Sequence, residues 1–282
     1  MKKRHLILFF CYNLIEVTII MKPVIGIILR CNYLNNKTPI NYISESVRRT
    51  FTKAGGEIYA ILPIQDICYS DTSFNNFPEL TKEEKQIIDK NLNMCDGIVF
   101  PGGKKLTPYD RYLLEQVIKK DIPVLGICLG MQLMSCYNEE KIIEKNNTKI
   151  NHRQKNRSEL THKVMIKEDS KLFSILGKTE IMVNSFHDYH GTKNKFYKTV
   201  AVSEDGIIEA IEYPNNTFNI GVQWHPEISY NFDLNSRKII DEFIKEATKK
   251  KKKETIITND INQIYRLIVY YFIALMSFIY NI

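Results

Sequence analysis

Four short runs carry apolar residues almost without interruption: VIGIIL (24–29), EIYAIL (57–62), DGIVF (96–100) and PVLGI (123–127). A strand with one face in water alternates apolar and polar residues; an unbroken run needs cover on both faces. Helical patterns stand between the runs. Residues 41–54 place Ile43, Val47 and Phe51 at i, i+4 and i+8, and Gly55-Gly56 stop the pattern. Thr81 and Glu84 make a T-x-x-E capping box. Thr107 and Pro108 read as an N-cap and first helical residue, leading a helix to about Lys120. Strands that alternate with helices and are apolar throughout predict a parallel sheet covered on both faces. Beyond residue 140 the pattern changes to shorter strands at about 163–167, 180–184, 198–203, 207–212 and 218–223, with a turn at Gly206. A helix near 234–247 closes this body.

Charge is concentrated at the ends. The net charge is +7, yet Lys249–Lys253 and Arg266 face only Glu254 and Asp260 in 249–282, and Lys2, Lys3 and Arg4 face only Glu16 in 1–20. The intervening body is nearly neutral, which argues against a nucleic-acid footprint there. Three segments are expected: an N-terminal extension (1–20), a folded body (21–248) and a lysine-rich linker with an apolar tail (249–282). The extension resembles a signal peptide, but Glu16 interrupts its apolar run and no A-x-A-like site follows. A true start at Met21 is the favoured account; a signal or anchor, or an extra strand or helix, are the alternatives. Residues 267–280 are uncharged and apolar, but as a helix they span roughly 21 Å against a hydrocarbon core of ~30 Å. Membrane contact through this tail stands beside a packed extension as an expectation, with a cytoplasmic setting otherwise.

The six cysteines, Cys11, Cys31, Cys68, Cys95, Cys128 and Cys136, show no C-x-x-C spacing, so neither a zinc site nor a redox dithiol is expected of them. Cys128 has a special setting. It follows PVLGI directly, flanked by Gly126 and Gly130, where the chain turns from strand to helix. Sites in parallel sheets form outside the carboxyl ends of the strands. G-x-C-x-G is the thiol form of the strained elbow that projects a nucleophile. The N-terminus of the helix behind it favours a thiolate, and the N–H of Leu129 would face a developing oxyanion. A cysteine nucleophile needs a base, and the base an orienter. GVQWHPE (221–227) offers both: His225 at a strand end, and Glu227 two residues on. His152, His162, His187 and His190 lack that combination.

These stretches resemble the class I glutamine amidotransferases, in the branch of stand-alone γ-glutamyl hydrolases typified by γ-glutamyl-γ-aminobutyrate hydrolase. PVIGI (23–27), DGIVFPGG (96–103), PVLGICLGMQ (123–132), VNSFH (183–187), DGIIEAIE (205–212) and GVQWHPE come in that family's order. The resemblance implies an α/β fold, a flavodoxin-like, doubly wound, mainly parallel sheet. It implies a Cys128–His225–Glu227 triad and an oxyanion hole from the backbone N–H groups of Gly103 and Leu129. Gln132, Asn184, Ser185, Phe186 and His187 are expected at the substrate, with Arg30 as a ligand for its α-carboxylate. Asn151-His152 matches a short motif of the same branch. Asp188 and Tyr189 stand where the branch has a second His and a Gln, and Lys104 and Lys105 where acidic or polar residues are common; both departures bear on the leaving-amine side.

The implied chemistry is hydrolysis of a γ-glutamyl amide through a thioester, with no metal or organic cofactor. The partner is a small-molecule substrate, no nucleic acid is expected, and the branch is often dimeric. A glutaminase subunit feeding ammonia to a separate synthase, and a non-catalytic binding or regulatory protein on the same fold, are the alternatives.

Overall fold

A computed structural model describes residues 22–35, 37–70, 77–138 and 143–280, with side chains up to 271 except at 259. The extension at 1–20 and the proposed start at Met21 lie outside the described residues. In chain order the strands are β1 (Val24–Ile28), β2 (Arg30–Leu34), β3 (Thr38–Tyr42), β4 (Glu57–Ile61), β5 (Gly97–Phe100), β6 (Val124–Ile127) and β7 (Glu144–Lys145). They continue as β8 (His162–Ile166), β9 (Glu180–Val183), β10 (Tyr189–His190), β11 (Lys198–Ser203), β12 (Ile208–Glu212) and β13 (Asn219–Val222). The helices are α1 (Glu45–Lys53), α2 (Lys82–Asn93), α3 (Pro108–Lys119), α4 (Leu129–Ser135), α5 (Lys171–Leu176), α6 (Pro226–Ser229) and α7 (Leu234–Tyr280).

Nine strands form one mixed sheet in the order β4-β1-β5-β6-β13-β12-β11-β8-β9. The first five run parallel, with Gly126 of β6 opposite both Phe100 of β5 and Gly221 of β13. From β13 onward every neighbour is antiparallel. The unbroken apolar runs are explained by burial on both faces. Ile25, Ile27 and Val99 pack on one side with Phe51 of α1 and Phe243 of α7, whose rings meet edge-on at 5.8 Å. Ile28, Ile98 and Phe100 pack on the other with Ile88 of α2 and Leu113 of α3. The expected capping box of Thr81 with Glu84 forms, and the expected N-cap Thr107 makes a capping box of its own with Asp110.

Two expectations need correction. The helix predicted from 41 begins at Glu45, because Ser44 caps it by accepting from Val47 N. The residues before it pair instead as the β2–β3 hairpin, a two-stranded sheet of its own. The helix predicted to end near 247 runs unbroken to Tyr280. No Gly or Pro lies between 234 and 280, and lysine is a good helix former. The ion pairs Lys245–Glu242, Lys249–Glu246 and Lys250–Glu254 at i,i+3 and i,i+4 offset some of the charge repulsion. Lys251 ties this stretch to the body by donating to Lys22 O at 2.7 Å. Among the described residues, no helix is long and apolar enough to cross a membrane.

Candidate active site

The thiol stands where the parallel strands end. Cys128 follows β6 and caps α4 with φ 53° and ψ −103°. A non-glycine residue is strained there, and such strain persists only where its surroundings impose it. The surroundings are visible: a Cβ on Gly130 would lie 2.0 Å from Phe100 O, and one on Gly126 only 2.8 Å from the Gly130 carbonyl carbon. Strand and helix therefore close to backbone contact on either side of the sulfur. Cys128 is buried, with 7 % of the residue's surface exposed. No disulfide joins the five described cysteines.

His225 follows β13, the parallel neighbour of β6. Its Nδ1 donates to Glu227 Oε1 at 2.7 Å. Its Nε2 makes no hydrogen bond of normal geometry among the described residues; the Cys128 sulfur is the neighbour that acts on the ring, by charge and a loose hydrogen bond. A Cβ on Gly102 would lie 2.9 Å from His225 Cε1 and 3.6 Å from Cys128 Cβ, so thiol and ring face one another across that glycine. Burial disfavours the imidazolium, but the Glu227 carboxylate and the Cys128 sulfur outweigh it and raise the His225 pKa to about 10. An imidazolium held beside a sulfur is the arrangement that favours attack by a thiolate.

The structure also brings Gly103, Leu129 and Arg30 together beside the thiol. A Cβ on Gly103 would meet Leu129 Cδ2 at 3.0 Å and Arg30 Cδ at 2.9 Å. Arg30 is buried. Its Nε donates to Pro101 O at 3.0 Å and its Nη1 to Asp110 Oδ1 at 2.6 Å, while its buried Nη2 has no partner among the described residues. Asp110 is the residue that sequence reasoning missed. The T-x-x-D start of α3 was the available signal, since the same carboxylate caps Thr107 and pins Arg30.

The other residues expected at the substrate make contacts within the protein. Gln132 donates through Nε2 to Tyr189 O at 2.7 Å and Gln223 Oε1 at 3.2 Å. Asn184 clamps the backbone of His225, donating to its carbonyl at 2.9 Å and accepting from its N–H at 2.8 Å. Asn184 therefore fixes the His225 backbone at both N–H and C=O. Ser185 donates to His152 O at 2.9 Å, and Phe186 lies under the guanidinium groups of Arg153 and Arg157. His187 is buried with Nδ1 3.0 Å from Tyr189 O; burial and His152 push its pKa down to about 3. The departures at the rim are accommodated: Asp188 pairs with Arg153, and Lys105 donates to Ser70 O at 2.6 Å.

Comparison with known proteins places this geometry. The crystal structure of a GMP synthase component from Thermoplasma acidophilum superposes with a TM-score of 0.58 at 16 % identity, covering 83 % of this chain and 98 % of that one. The fold is thus that of the class I glutamine amidotransferase domains. The Peptidase C26 family pattern matches residues 108–227, a span that contains the thiol, the histidine and the carboxylate. PB2B2.05 of Schizosaccharomyces pombe, assigned as a glutamine amidotransferase, is 32 % identical over 191 residues, covering 58 % of this chain and 74 % of that protein. The glutamine-hydrolyzing GMP synthase of Dictyostelium discoideum is 29 % identical over 171 residues, which are 56 % of this chain and 22 % of the synthase. The chain belongs to the Peptidase C26 family of class I glutamine amidotransferase-like proteins.

Proposed function

We propose that the protein is a cysteine-dependent hydrolase that cleaves a γ-glutamyl amide through a γ-glutamyl thioester. One observation carries the reading: a strained, slightly exposed thiol at a strand end faces an imidazole whose other nitrogen is held by a carboxylate. The Cys128 sulfur attacks the side-chain carbonyl carbon, and the electron pair displaced onto oxygen is met by the N–H groups of Gly103 and Leu129. His225 then gives its Nε2 proton to the leaving amine as the C–N bond breaks. In the second half His225 takes a proton from water, the hydroxide attacks the thioester, and the sulfur leaves with its electron pair. Glu227 keeps the ring in one tautomer throughout. Arg30 Nη2, held in place by Asp110 and left without a partner among the described residues, is the group suited to the substrate α-carboxylate.

Glutamate release from a panel of γ-glutamyl amines, γ-glutamyl peptides, polyglutamate and glutamine is the direct assay. Cys128→Ala should lower the rate by about 10⁴-fold or more. Equal rates from wild type and Cys128→Ala would remove the reading.

A second reading, a glutaminase working for a separate synthase, is favoured by the similarity to part of a glutamine-hydrolyzing GMP synthase. Glutamine as the preferred substrate, with a rate that rises on adding a partner, would select it.

A further inference from the structure

Three imidazoles and a carboxylate that the proposed reaction does not use converge beneath the antiparallel half of the sheet. Glu209 on β12 is fully buried, and its Oε1 lies 3.1 Å from His162 Nε2, 3.5 Å from His152 Nδ1 and 3.8 Å from His187 Nε2. The three histidine side chains are at most 2 % exposed. Glu209 Oε2, His162 Nδ1 and His187 Nε2 have no hydrogen-bond partner among the described residues. Buried polar atoms left this way are costly and call for an explanation.

The tautomers make the cost explicit. A carbonyl only accepts, so His187 Nδ1, 3.0 Å from Tyr189 O, carries that ring's proton, and Nε2 presents a lone pair. Asn146 Nδ2 is farther from Nδ1, at 3.3 Å, and is directed to His187 O at 3.0 Å. His152 Nε2, 3.0 Å from Asp205 Oδ2, likewise carries a proton, and its Nδ1 faces Glu209 Oε1 at 3.5 Å. Ser185 Oγ, 3.3 Å from that Nδ1, gives its proton to His152 O at 2.9 Å. His152 Nδ1 and His187 Nε2 thus both face Glu209 Oε1, at 3.5 and 3.8 Å. A cation between them would engage both nitrogens and the carboxylate at once.

We propose that His152, His162, His187 and Glu209 form a binding site for a divalent transition cation of the zinc type. One atom each from His152, His162 and Glu209 already lie within 4.8 Å of one another. Metal–ligand bonds of about 2.0–2.2 Å imply ligand–ligand edges of about 3.4 Å, within the range of the separations found. Imidazole and carboxylate without thiolate suit zinc, cobalt or nickel rather than calcium or magnesium. Asp205 and the Tyr189 carbonyl supply the outer contacts that orient ligating histidines. An open hollow of about 330 Å³, lined by His152, His187, Lys145 and Asn146, gives an entry path. The absence of paired cysteines says nothing against such a site, because none of its donors is sulfur. An ion there would anchor the segment after β9, whose Asn184 holds the His225 backbone.

The full-length protein, stripped with a chelator, is titrated with Zn²⁺ against a chromogenic competitor and with Co²⁺ by visible absorption. Wild type and Cys128→Ala should each take up about one equivalent, with the bands of low-coordinate cobalt, and Glu209→Gln should bind at least tenfold more weakly. Absence of stoichiometric uptake by Cys128→Ala, or unchanged affinity in Glu209→Gln, overturns the site; either result would leave at most an ion on the Cys128–His225 pair. Should Glu209→Gln fail to fold, X-ray absorption on zinc-loaded Cys128→Ala decides: imidazole scattering in a nitrogen and oxygen shell supports the site, and its absence refutes it.

Discussion

The two halves of the sheet handle polar groups in opposite ways. The parallel half, β4 through β13, is apolar in mid-strand and keeps its chemistry at the strand ends, where Cys128 and His225 emerge side by side. The antiparallel half carries ionisable side chains inside the strands: His162 on β8, Glu209 and Glu212 on β12. Glu212 receives the first N–H groups of α5, from Lys171 at 3.0 Å and Leu172 at 2.6 Å. Parallel strands all finish on one edge, so their loops can assemble a cleft there. Antiparallel strands send alternate ends to opposite edges, and their buried polar groups serve to hold segments in place. Substitutions in the first half should therefore cost catalysis before stability, and those in the second the reverse.

The sharpest test of that contrast is Glu227→Gln, expected to lower kcat by about 10²- to 10⁴-fold while the fold survives. NMR of the His225 ring should show its titration moving from about 10 toward the ordinary 6.5. In wild type the folded pKa lies above the unfolded one, so the stabilisation is complete below pH 6.5 and lost as pH rises through about 10. Chemical denaturation across that window should show the loss in wild type and a flatter profile in Glu227→Gln.

Gly130→Ala is the place where the contrast should break. A methyl group 2.0 Å from Phe100 O must push strand and helix apart, costing about 3 kcal/mol or more by denaturant titration, within the parallel half. A neutral result there would mean that the elbow is looser than its backbone contacts imply.

In the antiparallel half, Glu212→Ala leaves two α5 donors without their carboxylate and should cost about 2 kcal/mol. Steady-state kinetics on the folded fraction should be unchanged; a fall in kcat would show that the two halves are coupled.

The smallest effect belongs to the residue that links them. Asn184 leaves edge strand β9 and grips the His225 backbone at both N–H and C=O. Asn184→Ala should reduce kcat about tenfold, below the hundredfold of a full 1 Å misplacement, with KM nearly unchanged because the ring keeps Glu227. A rise in KM with kcat intact would instead return Asn184 to the substrate.

Much of this architecture is legible in the amino-acid sequence. The β5, β6 and β13 runs, the Thr81 and Thr107 caps and the Gly206 turn are local signals, each written in a few adjacent residues. Cys128 stands out because its glycines announce close approach, and His225 because its orienter lies two residues away. The substrate-contact expectations fare differently. Gln132, Asn184, Ser185, Phe186 and His187 all lie in the expected motifs, and each also contacts another protein group that the motif does not name. The β2–β3 hairpin and the continuation of α7 past 247 escape a sequence reading because each depends on competition: Ser44 wins the helix start, and nothing in the lysine run stops a helix already begun.

The order of apolar runs, the caps and the glycine-flanked thiol were determined by sequence alone, because they rest on backbone geometry that only neighbouring residues can impose. The pairing of Arg30 with Asp110, the clamp of Asn184 on His225 and the meeting of His152, His162 and His187 around Glu209 were decided by tertiary structure. Arg30 and Asp110 lie 80 positions apart, Asn184 and His225 41, and His162 and Glu209 47. A hydrogen bond reads distance in space, to which separation along the chain is no guide.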